Sequence, residues 1–129
     1  MNYRTLGKSG LKVSEIGYGA WGIGKSMWIG ASDDESLQAL NRSIELGLNF
    51  IDTALVYGDG HSEKLVGQVI KAHNEPIYAA SKIPPKNMQW PARSEVCATS
   101  DSIQSTSNSF MCGRMNGLTR ETGSRAYAN

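Results

Sequence analysis

The sequence predicts an α/β fold in which parallel strands alternate with covering helices. Two observations carry this: the elements run strand, helix, strand, helix, strand, and the connections between them have the lengths that βαβ units use. A third is that residues 1–93 hold the clear apolar periodicity and helix-capping signals of the chain. Periodicity alone leaves open whether such a sheet stays open or closes into a barrel.

Taken in order, Tyr3 to Thr5 and Leu11 to Ser14 flank the turn Gly7-Lys8-Ser9-Gly10 and predict a short hairpin. Ile16 to Ala20 predicts a buried strand that runs into the glycine-rich loop GYGAWGIG. The first helix is the best marked. Ser32 is its N-cap, Glu35 completes a capping box, Leu37, Leu40 and Ile44 form the core-facing stripe, and Gly47 supplies a left-handed stop. Leu48 to Ile51 is too short for another helix and predicts a buried strand ending at Asp52. A second helix starts at about Ser62, with Leu65, Val66, Val69 and Ile70 on one side, and Asn74 and Pro76 end it. Ile77 to Ala80 is then a third strand, running into Ser81 and Lys82.

Composition narrows the function classes. The chain has 129 residues, one domain's length, with 13 Lys and Arg against 12 Asp and Glu. No block of like charge is present, which argues against a nucleic-acid partner. No apolar run reaches the roughly 20 residues a membrane helix needs, and the polar N-terminus lacks a secretory signal, so a cytoplasmic location is expected. Cys97 and Cys112 have no His or Cys partners at metal spacing, so no metal and no disulfide framework are expected.

Asp52 and Lys82 each stand where an apolar strand ends, and in parallel α/β folds such positions face the rim where ligands bind. Each alone reads equally as a solvated strand end or half of a structural ion pair. Tyr57, in the loop ALVYGDG, adds a third group to the same rim. The three together make a recognisable proton donor. Reducing a carbonyl by hydride requires a proton for the developing alkoxide, and a free phenol, with a pKa of about 10, is a weak donor at neutral pH. A lysine ammonium against the phenol oxygen favours its ionised form, and a carboxylate holds that lysine charged and in place.

The segments RTLGKSGLKVSEIGYGAWGIG, LGLNFIDTALVYGDGHSEKLVGQVI and IYAASKIPP closely resemble, in order and spacing, the start of bacterial aldo-keto reductases. The resemblance covers roughly residues 2 to 93 and implies a (β/α)8 TIM barrel, NADPH as hydride donor, and aldehydes or ketones as substrates. It implies that Tyr57 is the proton donor, Lys82 the lysine that makes the phenol more acidic, and Asp52 the carboxylate paired with that lysine near the nicotinamide ribose. Gly19, Ala20 and Trp21 match the loop that approaches the nicotinamide and substrate. Trp21 then either lines the substrate pocket or plugs the barrel mouth. The glycines of GYGAWGIG make no dinucleotide fingerprint, because no helix follows immediately. Elsewhere, His61 is expected to be a solvent-exposed residue ahead of the second helix and His73 to close that helix, where a cation suits the dipole. Trp28 and Trp90 have no partner motif.

The family's fourth catalytic member is a histidine at the end of the next strand, and no histidine follows His73. Residues 94–129 are mostly Ser, Thr, Asn, Gly and Arg, and they predict a non-homologous tail of low order with no strand to match the sheet. Codon arithmetic suggests an origin. If each codon takes the last base of one codon and the first two of the next, the junction Phe110-Met111 permits histidine, Met111-Cys112 forces valine and Met115-Asn116 forces glutamate. The hidden frame then resembles the family's next strand. Residues 94–129 thus read as a frameshift product, and residues 1–93 as a partial barrel with a hairpin and about three βα units. The expectation is an oxidoreductase by descent, inactive as this chain alone. The alternatives are a non-catalytic gene remnant, a small partner-binding βα module, or a reductase assembled from two half-barrels.

Overall fold

A computed structural model of the chain describes residues 1–25 and 32–82, together with the backbone of residues 102–106 and 109–113. Strand β1 (Tyr3–Thr5) pairs antiparallel with β2 (Lys12–Ser14), Tyr3 opposite Ser14 and Thr5 opposite Lys12. Between them Gly7 and Gly10 take positive φ angles of 50° and 74°, which the tight turn needs and which glycine adopts without a Cβ clash.

The main sheet contains β3 (Tyr18–Gly19), β4 (Phe50–Asp52), β5 (Tyr78–Lys82), β6 (Ser102–Thr106) and β7 (Ser109–Gly113), in the spatial order β3-β4-β5-β7-β6. Strands β3, β4 and β5 are parallel, whereas β7 runs antiparallel to both β5 and β6. Helix α1 (Asp33–Glu45) links β3 to β4, and α2 (His61–Ala72) links β4 to β5.

Local chemistry explains α1. The Ser32 hydroxyl accepts from the Glu35 N–H at 3.2 Å, and the Glu35 carboxylate accepts from the Ser32 N–H at 2.8 Å, so two otherwise orphaned donors are satisfied. Asp33, Asp34 and Glu35 place negative charge at the positive end of the helix dipole. Gly47 ends the segment at φ 94°. Helix α2 begins one residue earlier than its apolar pattern suggests, at His61, with Gly60 as its N-cap at φ 88°.

The strand period of two separates two apolar clusters. Ile51 and Ala79 face the helices and join Leu40, Ile44, Leu48, Leu65, Val66, Val69, Ile70 and Ile77 in the main core. Tyr78 faces the other way, where Leu11 and Val13 of the hairpin cover it and Phe50 packs alongside. Asn49 fastens the hairpin there: its Oδ1 accepts from the Ser14 N–H at 2.7 Å and its Nδ2 donates to the Lys12 carbonyl at 3.0 Å.

Three expectations change. Residues 16–20 do not form a buried strand: β3 is only two residues long, and Ile16 is 64% exposed. The reason is position: among the described residues β3 pairs with β4 on one side alone, so Ala20 is buried in the core and Tyr18 packs partly buried against it, while Ile16 stays outside. The third strand runs on past Ala80, so Ser81 and Lys82 are its last residues, whereas β4 ends at Asp52 as expected. Finally, the segment expected to contribute no strand contributes two, β6 and β7, and β7 pairs with the whole of β5 from Tyr78 opposite Gly113 to Lys82 opposite Ser109. A strand edge offers a row of unpaired N–H and C=O groups, and backbone pairing makes little demand on side-chain periodicity. The rest of the tail, with Cys97, lies outside the described residues, as do Trp28 and Trp90.

Candidate active site

The parallel register brings the C-terminal ends of three strands together. Gly19 lies opposite Asp52 and Asp52 opposite Ala80, so Asp52 sits between the loop after β3 and the end of β5. Phe50 and Asp52 share a face, as do Tyr78, Ala80 and Lys82, and this face is turned away from the helices. Both site charges therefore point off the same side of the sheet.

Lys82 bridges them. Its Nζ donates to the two carboxylate oxygens of Asp52 at 2.9 and 2.8 Å and to the Thr53 carbonyl at 3.2 Å. The same ammonium lies over the Tyr57 ring, 4.8 Å from its centroid, close enough for the ring's negative face to attract it. Partial burial works against the charged amine, but hydrogen bonding to Asp52 and to Tyr57 outweighs it and raises the pKa of Lys82 above the usual lysine range.

Tyr57 is carried on a turn whose course is set by glycine. Gly58, at φ 70°, passes so close to the Gly22–Gly24 turn that a Cβ on it would fall 1.7 Å from the Gly24 carbonyl oxygen. A Cβ on Gly24 would in turn meet the Tyr57 carbonyl carbon at 2.7 Å. The two backbones touch, which only glycine at both positions permits. Tyr57 also donates its N–H to the Ala54 carbonyl at 3.0 Å and accepts from the Ser62 N–H at 3.2 Å.

Of the residues singled out in the sequence, Asp52, Tyr57 and Lys82 are thus in mutual contact through the lysine. Gly19 and Ala20 adjoin them, with the Ala20 N–H donating to the Asp52 carbonyl at 2.8 Å. Trp21 follows on the rim and is 45% exposed. The two histidines lie elsewhere. His61 is half-buried, not free in solvent: its Nε2 pairs with Asp33 Oδ1 at 2.8 Å, while Lys25 reaches the same oxygen at 2.7 Å. This pairing holds Asp33 below the usual carboxylate range, hydrogen bonds from Lys25 and then His61 being the chief causes. His73 caps α2 but its Nε2 contacts Asn41 of α1 at 2.8 Å, tying the helices to each other.

Sequence reading passed over a buried polar layer behind the site. Thr53, Ser62, Glu63 and Ser81 are all almost fully buried. Thr53 and Ser62 are linked through their hydroxyls at 2.9 Å, Ser62 donates to the Ala20 carbonyl at 2.7 Å, and Ser81 donates to Glu63 at 2.6 Å. The available signal was Ser62-Glu63 itself, two polar residues on the first turn of a helix that is otherwise apolar on its inner side.

A model of the aldo/keto reductase family matches residues 15–109. The chain belongs to this family. It is 37% identical over 75 residues to the aldo-keto reductase YhdN of Bacillus subtilis, covering 58% of this chain and 23% of that one. Against the L-galactose dehydrogenase of Arabidopsis thaliana the identity is 40% over 73 residues, covering 57% and 23%. A glycerol dehydrogenase of Gluconobacter oxydans superimposes with a TM-score of 0.51 at 33% identity, covering 67% of this chain and 28% of that one. The hairpin and the parallel βα units are therefore those of the N-terminal part of the family's TIM barrel, and the chain spans about a quarter of the length of the relatives it matches. Family members typically use NAD(P)H and act on carbonyl compounds. A Cβ on Gly19, beside Asp52, would meet nothing within 4 Å, so there is open space next to the carboxylate in which a cofactor could lie. No helix among the described residues is long and apolar enough to cross a membrane.

Proposed function

We propose that this chain carries the proton-donating part of an NADPH-dependent carbonyl reductase site, and that as 129 residues it does not turn over substrate alone. The carrying observation is Lys82, held on both oxygens of Asp52 and over the Tyr57 ring. Asp52, Gly19, Ala20 and Trp21 are the residues that would flank the nicotinamide, which supplies a hydride to the carbonyl carbon. The Tyr57 hydroxyl gives its proton to the carbonyl oxygen as negative charge builds there. Lys82 favours this by stabilising the phenolate left behind, and Asp52 keeps the ammonium in place while the Tyr57 charge changes. The substrate is a small aldehyde or ketone that fits beside Trp21.

Inactivity of the chain by itself is supported by the site as it stands: among the described residues no histidine lies beside Asp52, Tyr57 and Lys82, His61 being paired with Asp33 and His73 with Asn41. Purified chain mixed with NADPH and 4-nitrobenzaldehyde should leave the NADPH absorbance unchanged and its fluorescence unquenched. Turnover that disappears in Tyr57→Phe would overturn inactivity while supporting the acid. The acid itself is tested by sequencing the DNA beyond the Arg93 codon and restoring the shifted frame. In that restored protein Tyr57→Phe should lower kcat by about 10²- to 10⁴-fold. An unchanged kcat would remove Tyr57 from the reaction, and a DNA sequence with no family-like second frame would leave a non-catalytic βα module as the better description.

A further inference from the structure

Ser62 stands apart among the buried polar residues because its bonds run to all three backbone segments that meet at the site. Its N–H donates to the Tyr57 carbonyl at 3.2 Å. Its hydroxyl donates to the Ala20 carbonyl at 2.7 Å, at the start of the loop that carries Trp21. That hydroxyl has one proton, so the 2.9 Å contact with Thr53 is one in which Thr53 donates and Ser62 accepts. Thr53 directly follows Asp52 and gives its carbonyl to Lys82. One residue with no exposed surface thus ties the ends of β3 and β4 together through its hydroxyl and, with its own backbone anchored there, holds the turn bearing Tyr57 through its N–H.

We infer that Ser62 is the positioning residue that sets the approach of Tyr57 to Lys82. Main-chain bonds fix Asp52 and Lys82 in register without it, since Thr53 donates its N–H to the Ala80 carbonyl at 2.8 Å. Among the described residues no main-chain bond of that kind holds the turn of residues 54–60 against the sheet. It rests on the Gly24–Gly58 contact on one side and on Ser62 on the other. Without the hydroxyl, the Ala20 carbonyl and the Thr53 hydroxyl lose their shared partner inside a buried layer, and they recover protein partners only if the surrounding backbone shifts. The yielding element is the turn, because it has the fewest ladder bonds. This inference uses the site geometry of the proposed reductase but not its chemistry.

The test is spectroscopic and uses the full chain. A methylene next to an ammonium that sits over an aromatic face resonates upfield, so the Lys82 Cε protons, assigned with Lys82→Arg, report the distance to the Tyr57 ring. Tyr57→Leu sets the zero of that scale. Ser62→Ala should bring the Lys82 signal most of the way to the Tyr57→Leu position, and Ser62→Cys, which keeps the size and a weak donor, should bring it part of the way. Ile44→Val, a core change between α1 and the sheet, should leave it in place. If Ser62→Ala does not fold, Ser62→Cys decides alone. A wild-type position for Lys82 in the folded serine variants, or an equal displacement in Ile44→Val, overturns the inference. Since the shift reads geometry, failure of the reductase reading would leave this result standing.

Discussion

Three oxygens and an aromatic face surround the Lys82 ammonium: both carboxylate oxygens of Asp52, the Thr53 carbonyl, and the Tyr57 ring. The Lys82 and Asp52 side chains are 43% and 47% exposed, so the pair is too wet to be a large source of stability, and its value is orientation. Its pH behaviour follows from the direction of the lysine shift. The folded pKa lies above the unfolded value of about 10.4. The pair therefore contributes its full stability below that unfolded value and loses it as pH rises through the folded pKa. Asp52→Asn should remove this alkaline dependence and leave the stability of the variant flatter than wild type in the most basic part of a urea titration series. It should also make Lys82 more reactive toward an amine-acetylating reagent at mildly basic pH, read by mass spectrometry. Equal labelling of Lys82 in the two proteins would mean that Asp52 does not hold the charge.

At the level of elements, what was legible in the sequence was what local chemistry decides. Ser32, Glu35 and Gly47 act within a few residues of their own positions, and the structure has the capping box and the left-handed stop at those places. Ser32→Ala should lower stability by about 1 kcal/mol, seen as a lower urea midpoint with an unchanged slope; a midpoint equal to wild type would mean that α1 is held by packing alone. The meeting of Asp52, Tyr57 and Lys82 was legible too, from family resemblance and strand ends, because a parallel register needs no further specification to put consecutive strand ends on one rim. What escaped depends on distant partners. Ile16 looks like core in sequence but has no neighbouring strand to cover it. Asn49 looks like a polar interruption in an apolar run, and its role appears only when the hairpin residues Lys12 and Ser14 arrive beside it. Ser62 and Thr53 have the same history: a hydroxyl carries no sign of which carbonyl it will meet.

For the whole molecule the decisive feature is the far side of β5. In an ordinary (β/α)8 barrel each strand has parallel neighbours on both sides. Here β5 has β4 in parallel on one side and β7 antiparallel on the other, along its full length from Tyr78 to Lys82. The family match runs to residue 109, past Arg93, so the family-like part and the paired segment overlap in sequence. Whatever its coding history, the β6–β7 hairpin satisfies the N–H and C=O groups that β5 would otherwise present as an open edge, and it moves that edge outward to β6. A chain ending at Arg93 would lose this cover while keeping the helices, the core cluster and the Asp52–Lys82 pair. It should therefore self-associate more strongly than the full chain, eluting earlier on size exclusion as concentration rises, because two copies can pair edge to edge through β5. Replacing Cys112 by Pro in the full chain should move the protein in the same direction, since proline removes a backbone donor from the strand that lies opposite Ala79. If both proteins stay at the wild-type elution volume across the concentration series, β5 does not depend on the segment after Arg93 for its outer partner, and the antiparallel cover is incidental to how the molecule remains apart from its copies.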